Sequence, residues 1–250
     1  MSISARTPRV RSSPQLPKAR LVERWDITPD LMIIKLEPED KHFLFKAGQY
    51  CTLGLKGIER AYSIVSAPHE PHLEIFVARV ADGGLTPLMW DMKVGDTMSI
   101  RPRAKGLFVM NQRVHHHFMA CTVTGVAPCM SIVRNYLNEG GEGHKLYILL
   151  GASYQDELTY DTELAGLAAK HPDCIHFVPT ISRPGEARNA SWQGEKGRAN
   201  TIVETYLEKF NLPKNDSMVY ACGHPGMIAD VKERVSAQGW KFIEERFWKE

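Results

Sequence analysis

Four short segments carry residue types that can do chemistry, and all four suit a nucleotide-like ligand. Arg60-Ala61-Tyr62-Ser63 opens an apolar run. On a strand, alternation puts Arg60 and Tyr62 on one face and Ser63 on the other. A tyrosine so placed can stack on a planar ring, and the arginine fork can pair with a phosphate. The same residues also suit an ordinary strand with a surface arginine. Asp82-Gly83-Gly84-Leu85-Thr86-Pro87 sits at the mouth of a predicted helix. Its glycines admit close backbone approach, its N–H groups from Leu85 onward face outward, and the Thr86 hydroxyl adds a donor for a phosphate. A plain helix-capping turn is the alternative.

Thr124-Gly125-Val126-Ala127-Pro128 joins the strand HFMACTV to a helix, and Cys222-Gly223-His224-Pro225-Gly226-Met227 directly follows the strand SMVYAC. Small-residue loops at the carboxyl ends of parallel strands are where nucleotides bind. If both strands belong to one parallel sheet, both loops lie on the same edge and one ligand can touch both. Neither loop is a GxGxxG motif, and each also serves as a structural strand-to-helix turn. Cys222 beside a helix start has thiolate character if exposed and is inert if buried. His115, His116 and His117 are consecutive, so on a strand their rings alternate faces and cannot converge on one metal ion. No metal is expected.

The elements that must position these segments divide in two. Residues 19–110 read as short β-runs at 20–26, 31–37, 50–55, 60–65, 72–80 and 96–102, with a helical piece at 85–92. The run HLEIFVARV alternates at 73, 75, 77 and 80 as a half-buried strand does. Six strands separated by turns predict a closed or nearly closed antiparallel β-barrel. Beyond about residue 112, strands at 117–123, 145–153, 174–182, 217–222 and 241–247 alternate with helices at 128–140, 156–171, 199–210 and 225–238. That alternation predicts a doubly wound α/β domain with a parallel sheet covered on both faces. The expected division is a disordered basic tail at 1–18, a β-barrel at 19–112 and an α/β domain at 113–250.

Composition excludes several classes. The 250 residues are 43% hydrophobic and 24% charged, the balance of a globular protein. No apolar run approaches the length of about 18 residues that spans a bilayer. Five of the 31 basic side chains lie in residues 1–20, which hold no acidic one, so the rest of the chain carries 26 basic against 29 acidic residues. A mildly acidic body is not a polyanion binder, and neither nucleic acid nor membrane is an expected partner. The Arg-, Ser- and Pro-rich start also fits an organelle transit peptide. The five cysteines, at 51, 121, 129, 174 and 222, form no CxxC pair, which leaves zinc ribbons and iron–sulfur clusters unsupported. Their scatter suits reduced thiols in a cytoplasm-like compartment.

Barrel, RAYS, DGGLT, TGVAP and CGHPGM follow one another at spacings of about 25, 40 and 100 residues. In this the chain resembles the ferredoxin–NADP⁺ reductase family, and within it the compact bacterial flavodoxin/ferredoxin–NADP⁺ reductases, over residues 19–250. The resemblance implies FAD on the barrel and NADP(H) on the α/β domain. It implies that Tyr62 packs on the isoalloxazine, Arg60 faces the FAD pyrophosphate, and Ser63 lies beside flavin N5. Gly84, Leu85 and Thr86 match the pyrophosphate turn. Thr124, Gly125 and Pro128 match the loop that receives NADP(H), and Cys222, Gly223 and Met227 match the segment placing nicotinamide near the flavin. Phe247 matches the aromatic residue that covers the flavin's other face, which makes Ser63, Cys222 and Phe247 the residues expected at the reacting atoms.

Two departures stand out. Val123 replaces a family glycine and is expected to hold ordinary strand dihedrals. Ser153 stands where the family often has an arginine. By the same resemblance Ser182, Arg183 and Arg198 receive the 2′-phosphate of NADPH, although both arginines also read as solvated loop residues. The expected activity is electron transfer between NADPH and a one-electron carrier, ferredoxin or flavodoxin, by a monomeric cytoplasmic enzyme. An oxygenase reductase component, a free-flavin reductase and a flavin-binding regulatory module without turnover are the alternatives.

Overall fold

A computed structural model describes residues 16–246. The basic tail up to residue 15 and the expected flavin cover Phe247 lie outside the described residues. The first half builds β1 (Lys18–Thr28), β2 (Leu31–Pro38), β3 (Tyr50–Leu55), β4 (Ile58–Ser63), β5 (Leu73–Ala78), the short helix α1 (Thr86–Trp90) and β6 (Thr97–Ile100). The six strands form one antiparallel sheet in the order β4-β3-β6-β1-β2-β5. An antiparallel bridge between Ile64 and Ile75 brings its two edges together. The sheet therefore closes as a barrel, filled by inward residues such as Leu21, Met32, Ile34, Leu53, Ile75 and Val77.

The second half builds β7 (His116–Thr122), α2 (Ala127–Asn138), β8 (Lys145–Ala152), α3 (Asp161–Lys170), β9 (Ile175–Ile181), the two-residue β10 (Glu195–Lys196), α4 (Ala199–Lys209), β11 (Ser217–Cys222), α5 (Pro225–Ala237) and β12 (Phe242–Glu245). Its six strands are all parallel, in the order β10-β9-β8-β7-β11-β12. Apolar faces on both sides of this sheet bury separate clusters, as a doubly wound sheet requires. The expected helix at 156–171 begins later, at Asp161. Glu157 instead accepts the N–H groups of Ser153 and Tyr154 at 3.1 and 3.2 Å, closing a separate 3₁₀ turn at 155–157.

β5 departs from its half-buried pattern, since Leu73 through Val77 are all buried. Leu73, Ile75 and Val77 point into the barrel, while Phe76 joins the core of the α/β domain. The α/β domain thus covers the barrel's outer face here. Phe76 meets Tyr160 edge-on at 5.5 Å. The intervening Glu74 is only 8% exposed; it accepts a hydrogen bond from the Tyr160 hydroxyl at 2.9 Å and one from Arg134 at 3.3 Å. Arg134, on α2, also forks onto Glu163 at 2.8 Å and lies 3.6 Å from Glu70. Burial works against its charge, but the Glu163, Glu74 and Glu70 carboxylates more than offset this and hold its pKa above the usual range. The Ser131 hydroxyl adds a 2.8 Å bond to the Ser66 carbonyl.

Removing one partner of such a buried pair leaves an uncompensated charge. Arg134→Met should therefore destabilise the chain by about 3–5 kcal/mol in urea unfolding. Adding Glu74→Gln should recover part of that loss, because the stranded charge goes with it. A cost no larger than that of an exposed pair would show that the cluster does not hold the two halves together.

Candidate active site

The junction creates a largely apolar cavity of about 320 Å³ between the two halves. From the barrel it is lined by Arg60, Ala61, Tyr62, Ser63, Phe76, Ala78 and the 80–86 turn, and from the other domain by Thr124, Gly125, Ala127, Cys222 and Gly223. Three of the four expected motifs converge here through most of their residues, and CGHPGM does so through its first two. RAYS lines the wall with all four residues because β4 runs along the rim of the cavity, so strict alternation does not sort them. Arg60 is exposed, its Nη1 resting on the Glu59 carbonyl at 2.8 Å. Burial pushes the Tyr62 phenol above its usual range, so the ring remains neutral.

The cavity has unspent hydrogen-bonding capacity. Ser63 Oγ is buried without a partner among the described residues. Gly83, Gly84 and Leu85 present backbone at the start of α1. The expected role of the Thr86 hydroxyl as a phosphate donor is corrected: it donates to the Val80 carbonyl at 3.1 Å and accepts the Val80 N–H at 3.0 Å. Thr86 therefore shapes the turn, and the backbone N–H groups are left to meet an anion. A flat apolar slot, an aromatic wall, an orphaned hydroxyl and a glycine turn fit the ring and the pyrophosphate of a flavin dinucleotide.

The two nucleotide loops touch because β7 and β11 are neighbours, with Cys121 opposite Cys222. A Cβ on Gly125 would lie 2.2 Å from the Cys222 carbonyl, and one on Gly223 would lie 2.2 Å from Thr122 Oγ1. Only glycine allows this approach. Thr122 Oγ1 also accepts the His224 N–H at 2.9 Å, and His224 caps α5 by accepting the Gly226 N–H at 3.1 Å. Pro128 and Met227 support this edge from below: both are buried in helices α2 and α5 and neither lines the cavity. Cys222 is the inert alternative. Full burial, with Cys129 and Glu245 nearby, raises its thiol well above the ordinary range.

One residue behind the site, next to Cys222, had no place in the sequence reading. Glu245 pairs in register with Cys222 across β11 and β12, and its Oε2 is buried without a partner among the described residues. Burial raises its pKa to about 7, against a bond from the Phe108 backbone that lowers it. The available signal was an acidic residue two positions before the terminal aromatic, on a strand ending beside the nucleotide loops.

The expectation for Val123 is overturned, since its φ is +46°. Thr122 ends β7 in extended geometry and is held by the His224 N–H. The chain must turn at once into the 3₁₀ segment Val123–Val126, whose Gly125 presses on Cys222. That forces a left-handed residue at 123 even though it is β-branched, at a cost of roughly 1–2 kcal/mol. Ser182 donates its N–H to the Ala152 carbonyl at the end of the sheet. Arg183 and Arg198 are exposed on loops beyond β9 and do not line the cavity. The three histidines face different surroundings: His115 pairs with Asp216 and His116 meets Tyr147, while buried His117 sits between Tyr220 and His144. Val123→Gly, measured by urea unfolding, should leave stability within about 0.5 kcal/mol of the parent, because relief of strain offsets the added chain entropy. Val126→Ala in the same turn should cost about 2 kcal/mol. Equal losses would show that position 123 is unstrained.

Comparison with known proteins agrees with this geometry. The oxidoreductase FAD-binding domain family matches residues 18–108, and the oxidoreductase NAD-binding domain family matches residues 119–233. The chain is 33% identical to ferredoxin–NADP reductase B of Sorangium cellulosum over 86% of its own length and 89% of that protein. It is 31% identical to the flavodoxin/ferredoxin–NADP reductase of Escherichia coli, over 75% and 77% respectively. The crystal structure of a ferredoxin NADP⁺ reductase from Neisseria gonorrhoeae with bound FAD and NADP superposes with a TM-score of 0.80 at 25% identity, covering 92% of this chain and 98% of that one. On fold, cavity and kinship together, the chain belongs to the ferredoxin/flavodoxin–NADP⁺ reductase family of FAD-dependent oxidoreductases.

Proposed function

We propose that the chain carries electrons between NADPH and a small one-electron carrier, ferredoxin or flavodoxin, with FAD held in the cavity at the junction. The observation that carries this reading is that a barrel wall suited to a flavin and two touching nucleotide loops line one cavity. Bound FAD would supply the exchange between a hydride's two electrons and single electrons. The residues have positioning work to do. Tyr62 stacks against the ring, while Arg60 and the backbone N–H groups at Gly84 and Leu85 hold the pyrophosphate. Ser63 and Cys222 pack at the reacting edge. Thr124, Gly125 and Gly223 let the nicotinamide approach.

Glu245, beside Cys222, has a pKa raised by burial to about 7, so its carboxyl can carry a proton near neutral pH. Arg183, Arg198 and Ser182 receive the 2′-phosphate. They lie beyond β9, three strands from β11, or roughly 14 Å along one sheet edge. An extended dinucleotide has that reach. All five cysteines are free, which supports a reducing compartment such as the cytoplasm. The deciding experiment reduces the purified holoprotein with NADPH without oxygen and then adds ferredoxin or flavodoxin. Rapid reoxidation by either supports the reading. Reoxidation only by free flavin or by an oxygenase component would assign one of the alternatives.

Arg60→Ala should release flavin on gel filtration while the α/β domain stays folded, since it removes one charge-assisted contact of roughly 1.5–3 kcal/mol. Full flavin content with unchanged absorbance would misplace the pyrophosphate. Glu245 gives a pH test in the apoprotein. Its folded pKa of about 7 lies above the unfolded value near 4.3, so the folded state binds more protons between them. Its contribution is complete below about pH 4.3 and is lost as pH rises through 7. The stability of wild type relative to Glu245→Gln should therefore fall across that window, by up to about 3.5 kcal/mol. A flat difference would mean that Glu245 is ionised throughout.

A further inference from the structure

We infer that Glu186 sets how strongly this chain prefers a nucleotide bearing a 2′-phosphate, by competing for the Arg183 guanidinium. The inference rests on the reading above, in which Arg183 is a 2′-phosphate ligand. Arg183 Nη1 lies 3.5 Å from Glu186 Oε1 and donates to the Tyr154 hydroxyl at 2.7 Å. That hydroxyl donates in turn to Glu186 Oε2 at 2.6 Å. Glu186 thus engages Arg183 both directly and through Tyr154, on the side chain a phosphate has to reach.

The loop cannot simply swing the carboxylate aside. A turn bonds the Glu186 N–H to the Arg183 carbonyl at 3.2 Å, and the Asn189 N–H bonds back to the Glu186 carbonyl at 2.9 Å. Asn189, only 2% exposed, gives its amide to the carbonyls of Ser153 and Arg183 and accepts the Gln155 N–H. This buried clamp ties the Arg183 loop to the loop after β8. The other cations differ in their readiness. Arg188 is held by Asp156 at 2.8 and 2.9 Å and lies 4.1 Å from the Tyr154 ring. The Arg198 carbonyl accepts from Thr201 at the start of α4, but its guanidinium makes no hydrogen bond or ion pair among the described residues, so it meets an entering phosphate without a competitor.

Arg183 pairs with Glu186, and Arg188 with Asp156 and Glu157, so two of the three arginines are already engaged before any phosphate arrives. A dianion has to loosen the Glu186 contact and then sit beside that carboxylate. A nucleotide with a bare 2′-hydroxyl does neither. Glu186 therefore weakens binding of the phosphorylated nucleotide selectively and narrows the preference that Arg183 and Arg198 create.

The test is calorimetric titration of the FAD-loaded protein with 2′,5′-ADP and with 5′-AMP, which differ only in the 2′-phosphate. Glu186→Gln should tighten 2′,5′-ADP roughly three- to tenfold, the scale of an exposed ion pair plus a nearby like charge, and leave 5′-AMP within about twofold. High salt should shrink the gain by screening. Arg183→Ala should weaken 2′,5′-ADP alone, and Glu186→Gln added to it should tighten that ligand by less than it does in the parent, because only the like-charge repulsion is then left to relieve. If Arg183→Ala behaves so but Glu186→Gln does not tighten 2′,5′-ADP, the competition is overturned and the phosphate site stands. If Glu186→Gln tightens both ligands equally, the carboxylate is not selective and the inference fails. If Arg183→Ala leaves 2′,5′-ADP unchanged, the phosphate site and the competition fall together.

Discussion

Everything at this site depends on how the barrel is held against the parallel sheet. A nucleotide bound to one half must meet a ring bound to the other, and misplacement by about 1 Å at such a junction can cost two orders of magnitude in rate. The chain fixes the junction with a strand buried on both faces. β5 fills the barrel with Leu73, Ile75 and Val77 while Phe76 enters the neighbouring core. Glu74, caught between them, is neutralised by Arg134 from the far side. Phe108 and Val114, on the connecting segment, belong to the same core, and the Asn111 N–H is bound by the buried Tyr220 hydroxyl at 3.0 Å. The halves share a core, so the cavity between them keeps its shape.

Backbone closeness is the second requirement, and it explains where the chain tolerates strain. Gly125 and Gly223 let two loops touch where any side chain would collide with backbone or with Thr122. Val123 carries the cost of that turn in a left-handed conformation ill suited to valine. The polar groups left unsatisfied nearby, Ser63 Oγ and Glu245 Oε2, have a different origin. Ser63 lines the cavity, while Glu245 lies behind it, next to Cys222.

Much of this was legible in the sequence, for identifiable reasons. Strands such as β3 and β11 are bounded by turn residues and run apolar between them, so their limits matched. The two nucleotide loops were readable because parallel strands must present their carboxyl ends on one edge. The burial of both faces of β5 was not, because Glu74 reads as a solvent residue until Arg134, sixty positions away, supplies its counter-charge. Val123 was misjudged because the demand for a left-handed turn comes from Thr122 and His224, a contact spanning about a hundred residues. Glu245 escaped for a similar reason: only the register of β12 on Cys222 buries it. Local pattern reveals elements, while charge burial and strain are set by distant partners.

In the proposed function, the junction cavity brings nicotinamide and flavin together for direct hydride transfer. Stopped-flow mixing of the oxidised holoprotein with NADPH under anaerobic conditions, repeated with NADPH deuterated at C4, tests it most directly. The flavin's visible absorbance should be lost rapidly without any added carrier, and more slowly when deuterium is the atom transferred. An oxidised flavin that persists in excess NADPH, with the nucleotide demonstrably bound, would contradict it.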